Sequence, residues 1–182
     1  MAQGDKDYTL DAIYTQEPLR KLIYRGRIFS LGFIVDSVAN DGRIGAIFNA
    51  RSADIHLSIG YATTGTAHMH FYNVTSWTGG TPCACANLYT KYQGVNSLTS
   101  QIVANPTSIN VQVSSTPIWS QLIPGGLKSA AQGGTGGPTQ SVIIGQGHII
   151  YAELVNLAGT GASMSMEATY HEAPIAQLDD PD

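Results

Sequence analysis

The sequence predicts an all-β protein, an antiparallel β-sandwich of jelly-roll-like form with about eight strands. Three observations carry this expectation. From Ala162 to His171 the residue types alternate without a break. Ala162, Met164, Met166, Ala168 and Tyr170 take one side, and Ser163, Ser165, Glu167, Thr169 and His171 take the other. A period of two is the signature of a half-buried strand. The run Ile149-Ile150-Tyr151-Ala152-Glu153-Leu154-Val155 is rich in β-branched and aromatic side chains, which suit a pleated surface. Short strand-like runs of this kind recur between turn signals along the chain, with no helical period after the first 24 residues. Residues 141–171 therefore read as two strands joined by the turn Gly159-Thr160-Gly161, an antiparallel pair with one apolar face.

In chain order, residues 1–24 read as an N-terminal arm. Asp7 to Tyr14 has weakly helical spacing, Pro18 interrupts it, and Leu19 to Arg27 is basic and apolar together. Such a segment either lies on an acidic neighbour or packs on its own sheet. The sandwich is expected over residues 25–175. A first strand from Arg27 to Val38 puts Phe29, Leu31, Phe33 and Val35 on one face. Asn40-Asp41-Gly42 follows, and Asp-Gly between two apolar runs predicts a hairpin with both central residues at positive φ. Arg43 to Phe48 is the return strand. Asp54 to Tyr61 and Thr66 to Tyr72 are further strands about a turn at Thr63-Thr64-Gly65. Residues 73–100 read as a long loop with extended pieces, because Gly, Pro and short polar residues dominate. Strands return at Gln101 to Ala104, Ser108 to Val113 and Pro117 to Ile123. Residues 124–140 are glycine-rich, and 176–182 form an acidic tail.

A chain of 182 residues can bury one core and is expected to form one domain. Charged residues make up only 12% of it, against about 25% in ordinary soluble domains. All but two of the nine Lys and Arg residues fall between Lys6 and Arg51, and no Asp or Glu occurs from Ile55 to Ala152. That middle half covers itself with Ser, Thr, Asn, Gln and Gly. It is either a neutral polar surface or a surface occupied by other subunits, where pairing requires no charge to be desolvated. The net charge of -4 argues against nucleic acid as the main partner. No run approaches the about 20 apolar residues of a membrane-spanning helix. The first seven residues lack the apolar core of a signal peptide, so synthesis in a cytoplasm is expected.

Candidate chemistry is sparse. His68 and His70 share a face if their segment is a strand, and Cys83 and Cys85 share one if theirs is extended. Two His and two Cys can form a tetrahedral zinc site, although the spacing matches no finger or ribbon. The plain alternative is two surface histidines and two small core thiols. The pair Cys83 and Cys85 closes too short a loop for a useful disulfide. Trp77, Tyr89 and Tyr92 could stack on sugars or bases, or anchor their loop to the sheet. A hydrolytic triad would need Asp36, Asp41, Asp54 or Glu153, and no G-x-S-x-G elbow or phosphate-binding glycine loop occurs. No enzyme activity and no cofactor are expected. Asn73-Val74-Thr75 satisfies a glycosylation sequon, which is expected to be a chance match because no signal peptide is expected.

The order of short motifs resembles a family of tailed-bacteriophage virion proteins, the small β-sandwich capsid decoration or accessory proteins. The resemblance lies in LIYRGRIFS at 22–30, the polar turn at 40–43, GGTP with NLY at 79–89, and NPTSI at 105–109. It continues through the glycine-rich loop and VIIGQGHIIYAELVNL at 142–157. Cys83-Ala84-Cys85 departs from the GGTP segment of that pattern. The resemblance implies a jelly-roll-like sandwich, homo-oligomers (often trimers) and attachment to a capsid or tail. The expected function is capsid decoration on a virion, with Arg20, Lys21, Arg25 and Arg27 docking on an acidic major capsid protein. A receptor- or glycan-binding head on a fibre is the alternative.

Overall fold

The computed structural model describes residues 28–83, 85–88, 100–111, 116–125 and 140–173. The expected arm, its four basic docking residues, Tyr89, Tyr92, most of the glycine-rich segment and the acidic tail lie outside the described residues. The described residues form no helix and twelve strands. These are β1 Ile28–Val38, β2 Arg43–Asn49, β3 Asp54–Thr63, β4 Ala67–Thr78, β5 Thr81–Pro82 and β6 Ala86–Asn87. They continue with β7 Gln101–Ala104, β8 Ser108–Val111, β9 Trp119–Ile123, β10 Gln140–Ile144, β11 Ile149–Asn156 and β12 Ala162–Ala173.

The strands make two antiparallel sheets, as an all-β sandwich requires. One runs β10-β3-β12-β1-β6 and the other β5-β7-β2-β11-β4-β8, with β9 also paired to β4. The predicted apolar faces are the ones that meet between them. Ala162, Met164, Met166, Ala168 and Tyr170 of β12 are all buried, and so are Phe29 and Leu31 of β1. Opposite them lie Ala46, Phe48, Ala152, Leu154, Met69 and Phe71. Removing each large side chain of this set from water contributes roughly 1.5–3 kcal/mol. A second, smaller core forms on the far face of the larger sheet, from Ile47, Val74, Val103 and Tyr151 with Trp77, Ile109 and Val111 against them.

Two pairings differ from the sequence-based expectation. The turn at Asn40-Asp41-Gly42 does not close a hairpin: β1 pairs with β12 and β6, whereas β2 pairs with β11 and β7. Asp41 has φ 59°, but Gly42 is not in the left-handed region. Glycine is needed there for space, since a Cβ would stand 2.8 Å from the Ala39 carbonyl oxygen. Likewise β11 and β12 do not pair with each other; they lie in opposite sheets. Both links are arches that step from one layer to the other, and so is the link from β3 to β4. Alternation fixes which face of a strand is apolar, but two apolar faces can be buried side by side or face to face. Here they face each other.

The predicted loop at 73–100 also begins later than expected. β4 continues to Thr78, bulging between Val74 and Ser76 to pair with β8. Trp77 and Val74 hold this extension by packing into the second core. Left-handed Gly79 and Gly80 then release the chain toward β5.

Asn156 ties two of these arches together, and its neighbour Leu157 reaches the third. Asn156 is fully buried. Its side-chain amide donates to the carbonyls of Val38 at 2.8 Å, Ala39 at 3.1 Å and Thr160 at 2.8 Å. Its side-chain oxygen accepts from Ala158 N–H at 2.9 Å. Its backbone exchanges bonds with Asp41 and Gly42, and the next residue, Leu157, donates to Thr66.

Candidate functional site

Four neighbouring strands, β9, β4, β11 and β2, carry the densest group of polar side chains on the outer face of the larger sheet. Their register places the residues. Ser120 of β9 lies opposite His70 of β4, His70 opposite Glu153 of β11, and Glu153 opposite Gly45 of β2. One row along are Leu122, His68, Val155 and Arg43, and on the other side Tyr72 and Tyr151. Alternation along each strand sends all of these away from the inter-sheet core.

Ser120 Oγ and His70 Nδ1 are 2.7 Å apart. The Glu153 carboxylate is only 4% exposed and pairs with Arg43 at 3.3 Å, whose own side chain is 60% exposed. A buried carboxylate requires such partners, because leaving it unpaired would be strongly destabilising. The phenols of Tyr72 and Tyr151 stack with centroids 6.3 Å apart and face the same carboxylate. Burial and then the negative charge of Glu153 push both phenols above their ordinary pKa. Burial pushes the His70 imidazole below its ordinary value; Glu153 opposes this shift, and His68 and Arg43 add to it. Gly45 leaves the space that the Tyr151 ring fills: a Cβ there would stand 2.6 Å from the ring and its hydroxyl.

The residue types Ser120, His70 and Glu153 are those of a hydrolytic relay. Their arrangement differs from one in its bonding. Glu153 directs its carboxylate to Arg43 and the two phenols, rather than orienting His70 through a hydrogen bond. A relay needs that orienting bond and a pair of oxyanion donors. The row instead forms a semi-exposed polar surface with an imidazole pair at its centre.

Of the sequence-predicted site residues, His68 and His70 do share a face, with ring centroids 5.4 Å apart. Cys83 and Cys85 do not join them. Both thiols are free and pack against the inter-sheet core, beside β7 and the start of β1. The two-histidine, two-cysteine zinc site is therefore not assembled. Among the described residues, no group of three or more His, Cys, Asp and Glu converges on a metal position. Burial raises both thiols above their ordinary pKa, so they are poor nucleophiles. The Cys85 thiol lies beside the Tyr170 hydroxyl, which is buried with no oxygen or nitrogen partner. A sulfur contact is a weak substitute. Trp77 anchors its strand to the second core.

Sequence reasoning did not join Ser120 and Glu153 to His70. The one available signal was Glu153 itself, a single carboxylate inside an otherwise apolar strand. On the outer face of the other sheet a second histidine pair, His56 and His171, stacks with centroids 4.6 Å apart. It lines a cleft of about 400 Å³ together with Ile28, Ser58, Ile143 and Thr169.

A scan against protein-family models finds no match, and a search of curated proteins finds none.

Proposed function

We propose that this protein is a structural subunit of a tailed-phage particle, a capsid decoration protein that associates as a homo-oligomer, a trimer, and reinforces the head. The observation that carries this reading is the strand order. Four strands in the order β1-β12-β3-β10 face four in the order β2-β11-β4-β9. That alternation between two sheets supports a jelly roll, an architecture used by viral shell proteins and by lectins. The surface supports it as well. Its outer faces carry hydroxyls and isolated aliphatic side chains, with Ile34 72%, Ile143 66% and Leu122 57% exposed. Arg43 and Arg51 are the only Lys or Arg side chains among the described residues. Faces with so few charges suit contacts between subunits.

A receptor- or glycan-binding head on a fibre is the second reading, favoured by the row of Tyr72, His70, Ser120 and Glu153 on one open face. Copy number separates the two. Gold-labelled antibody against this chain, imaged on particles that carry it, should decorate the head over its whole surface. Label confined to one vertex would favour the fibre head, and a chain never found on particles would overturn both.

A further inference from the structure

His68 and His70 project from one face of β4 with a single residue between them. Their rings stand 5.4 Å apart at 73°. Imidazole lone pairs lie in the ring plane, so two rings set at a steep angle can direct nitrogens toward one point. Each metal–nitrogen bond then spans about 2 Å. The other pair, His56 and His171, stacks at 4.6 Å with planes only 34° apart.

The second observation is the contact between His70 Nδ1 and Ser120 Oγ at 2.7 Å. When Nδ1–H donates to the serine hydroxyl, the free lone pair sits on Nε2. A hydrogen bond to the far ring nitrogen is the usual means of fixing a ligating histidine in tautomer and orientation. Ser120 is on the neighbouring strand at the same register, so its position is set by the β4–β9 ladder.

We propose that His68 and His70 form a two-histidine site for a divalent transition-metal ion of the zinc or copper class, with Ser120 as the positioning residue. Imidazole suits these ions. Water fills the remaining coordination positions. Cys83 and Cys85 are excluded as ligands by their place against the sandwich core.

The test is a zinc titration of the full chain near neutral pH, read by proton–nitrogen correlation of the imidazole rings. Zinc should move the ring signals of His68 and His70 together, with Nε2 of His70 as the ligating nitrogen, and leave His56 and His171 in place. His68→Ala should abolish the paired response. Ser120→Ala should weaken zinc binding by about tenfold or more, the usual cost of losing an orienting partner. Its thermal midpoint without metal should stay unchanged, which separates positioning from folding. Binding should fade as the solution becomes acidic, because protons compete with the metal for the imidazole nitrogens. Zinc shifts at His56 and His171 instead, no shift at any ring, or equal affinity in the His68→Ala/His70→Ala variant would each overturn the site. Unchanged affinity in Ser120→Ala would overturn the positioning role.

Discussion

Asn156 shows how much a single side chain can fix in this fold. Three carbonyls, from the arch after β1 and the arch before β12, converge on one amide nitrogen. Asn156→Ala would strip all three of their partner, and an unsatisfied buried group costs about 1–3 kcal/mol. A loss of roughly 2–4 kcal/mol is expected, since water can reach part of the arch. Asn156→Asp is the sharper test. It keeps the shape but turns an oxygen toward those carbonyls, so it should destabilise more than alanine at neutral pH. The difference should narrow in acid, where the carboxyl regains a proton to donate. Urea unfolding of both variants at two pH values checks this; equal midpoints at neutral pH would contradict the clasp. His171 gives a second residue-scale expectation. Burial, and then the neighbouring His56, hold its imidazole below the ordinary value. No carboxylate lines the cleft that contains the pair. As pH falls below about 6.5 the unfolded chain takes up protons that the folded chain resists. Stability is therefore complete above that pH and declines as the solution becomes acidic. Replacing His171 with Gln should flatten the fall in thermal midpoint between neutral and mildly acidic pH.

At the scale of elements, the alternation in β12 and β1 was readable because burial on one face repeats every second residue. Every position assigned to the apolar face of β12 is buried. Partner choice was not readable. A turn sequence such as Asn40-Asp41-Gly42 fits a hairpin and an arch equally well, and only distant segments decide between them. β1 finds its neighbour in β12, at the other end of the described chain. The polar row was hidden for the same reason. Ser120 and His70 are fifty residues apart in sequence and meet only through the β4–β9 register. Gly45 offers a test of how tightly that row is built. Alanine there would put a Cβ 2.6 Å from the Ala152 carbonyl and from the Tyr151 ring. Overpacking of this kind costs typically 1–3 kcal/mol, so about that loss is expected. Tyr151 should also swing off Glu153, and tyrosine fluorescence or ring chemical shifts would report it. A Gly45→Ala protein with wild-type stability and ring environment would show that the sheet has slack there.

At the scale of the whole molecule, the question is what the two outer faces meet. Ile34 and Ile143 stand on the outer face of the five-stranded sheet, on β1 and β10, opposite Ser165 of β12 and His56 of β3. Neither contributes to the sandwich core, so a polar substitution at either should cost the folded chain little. Isolated exposed aliphatics are ordinary on soluble proteins and need no explanation alone. They gain weight here from the shortage of charge, because a surface with few charges has little repulsion to keep copies apart. If the proposed oligomer uses this face, Ile34→Lys with Ile143→Lys would bring two ammonium groups into each subunit contact. The desolvation penalty of even one such charge is several kcal/mol, enough to shift a subunit equilibrium strongly toward monomer. Sedimentation velocity should show the wild-type chain as an oligomer and the double variant as a monomer, with the same circular dichroism and a similar thermal midpoint at low concentration. An oligomer that survives both lysines would move the contact to the other sheet, where Leu122 and Ile118 are among the exposed aliphatic side chains. A wild-type chain that sediments as a monomer at every concentration would count against the assembly reading itself.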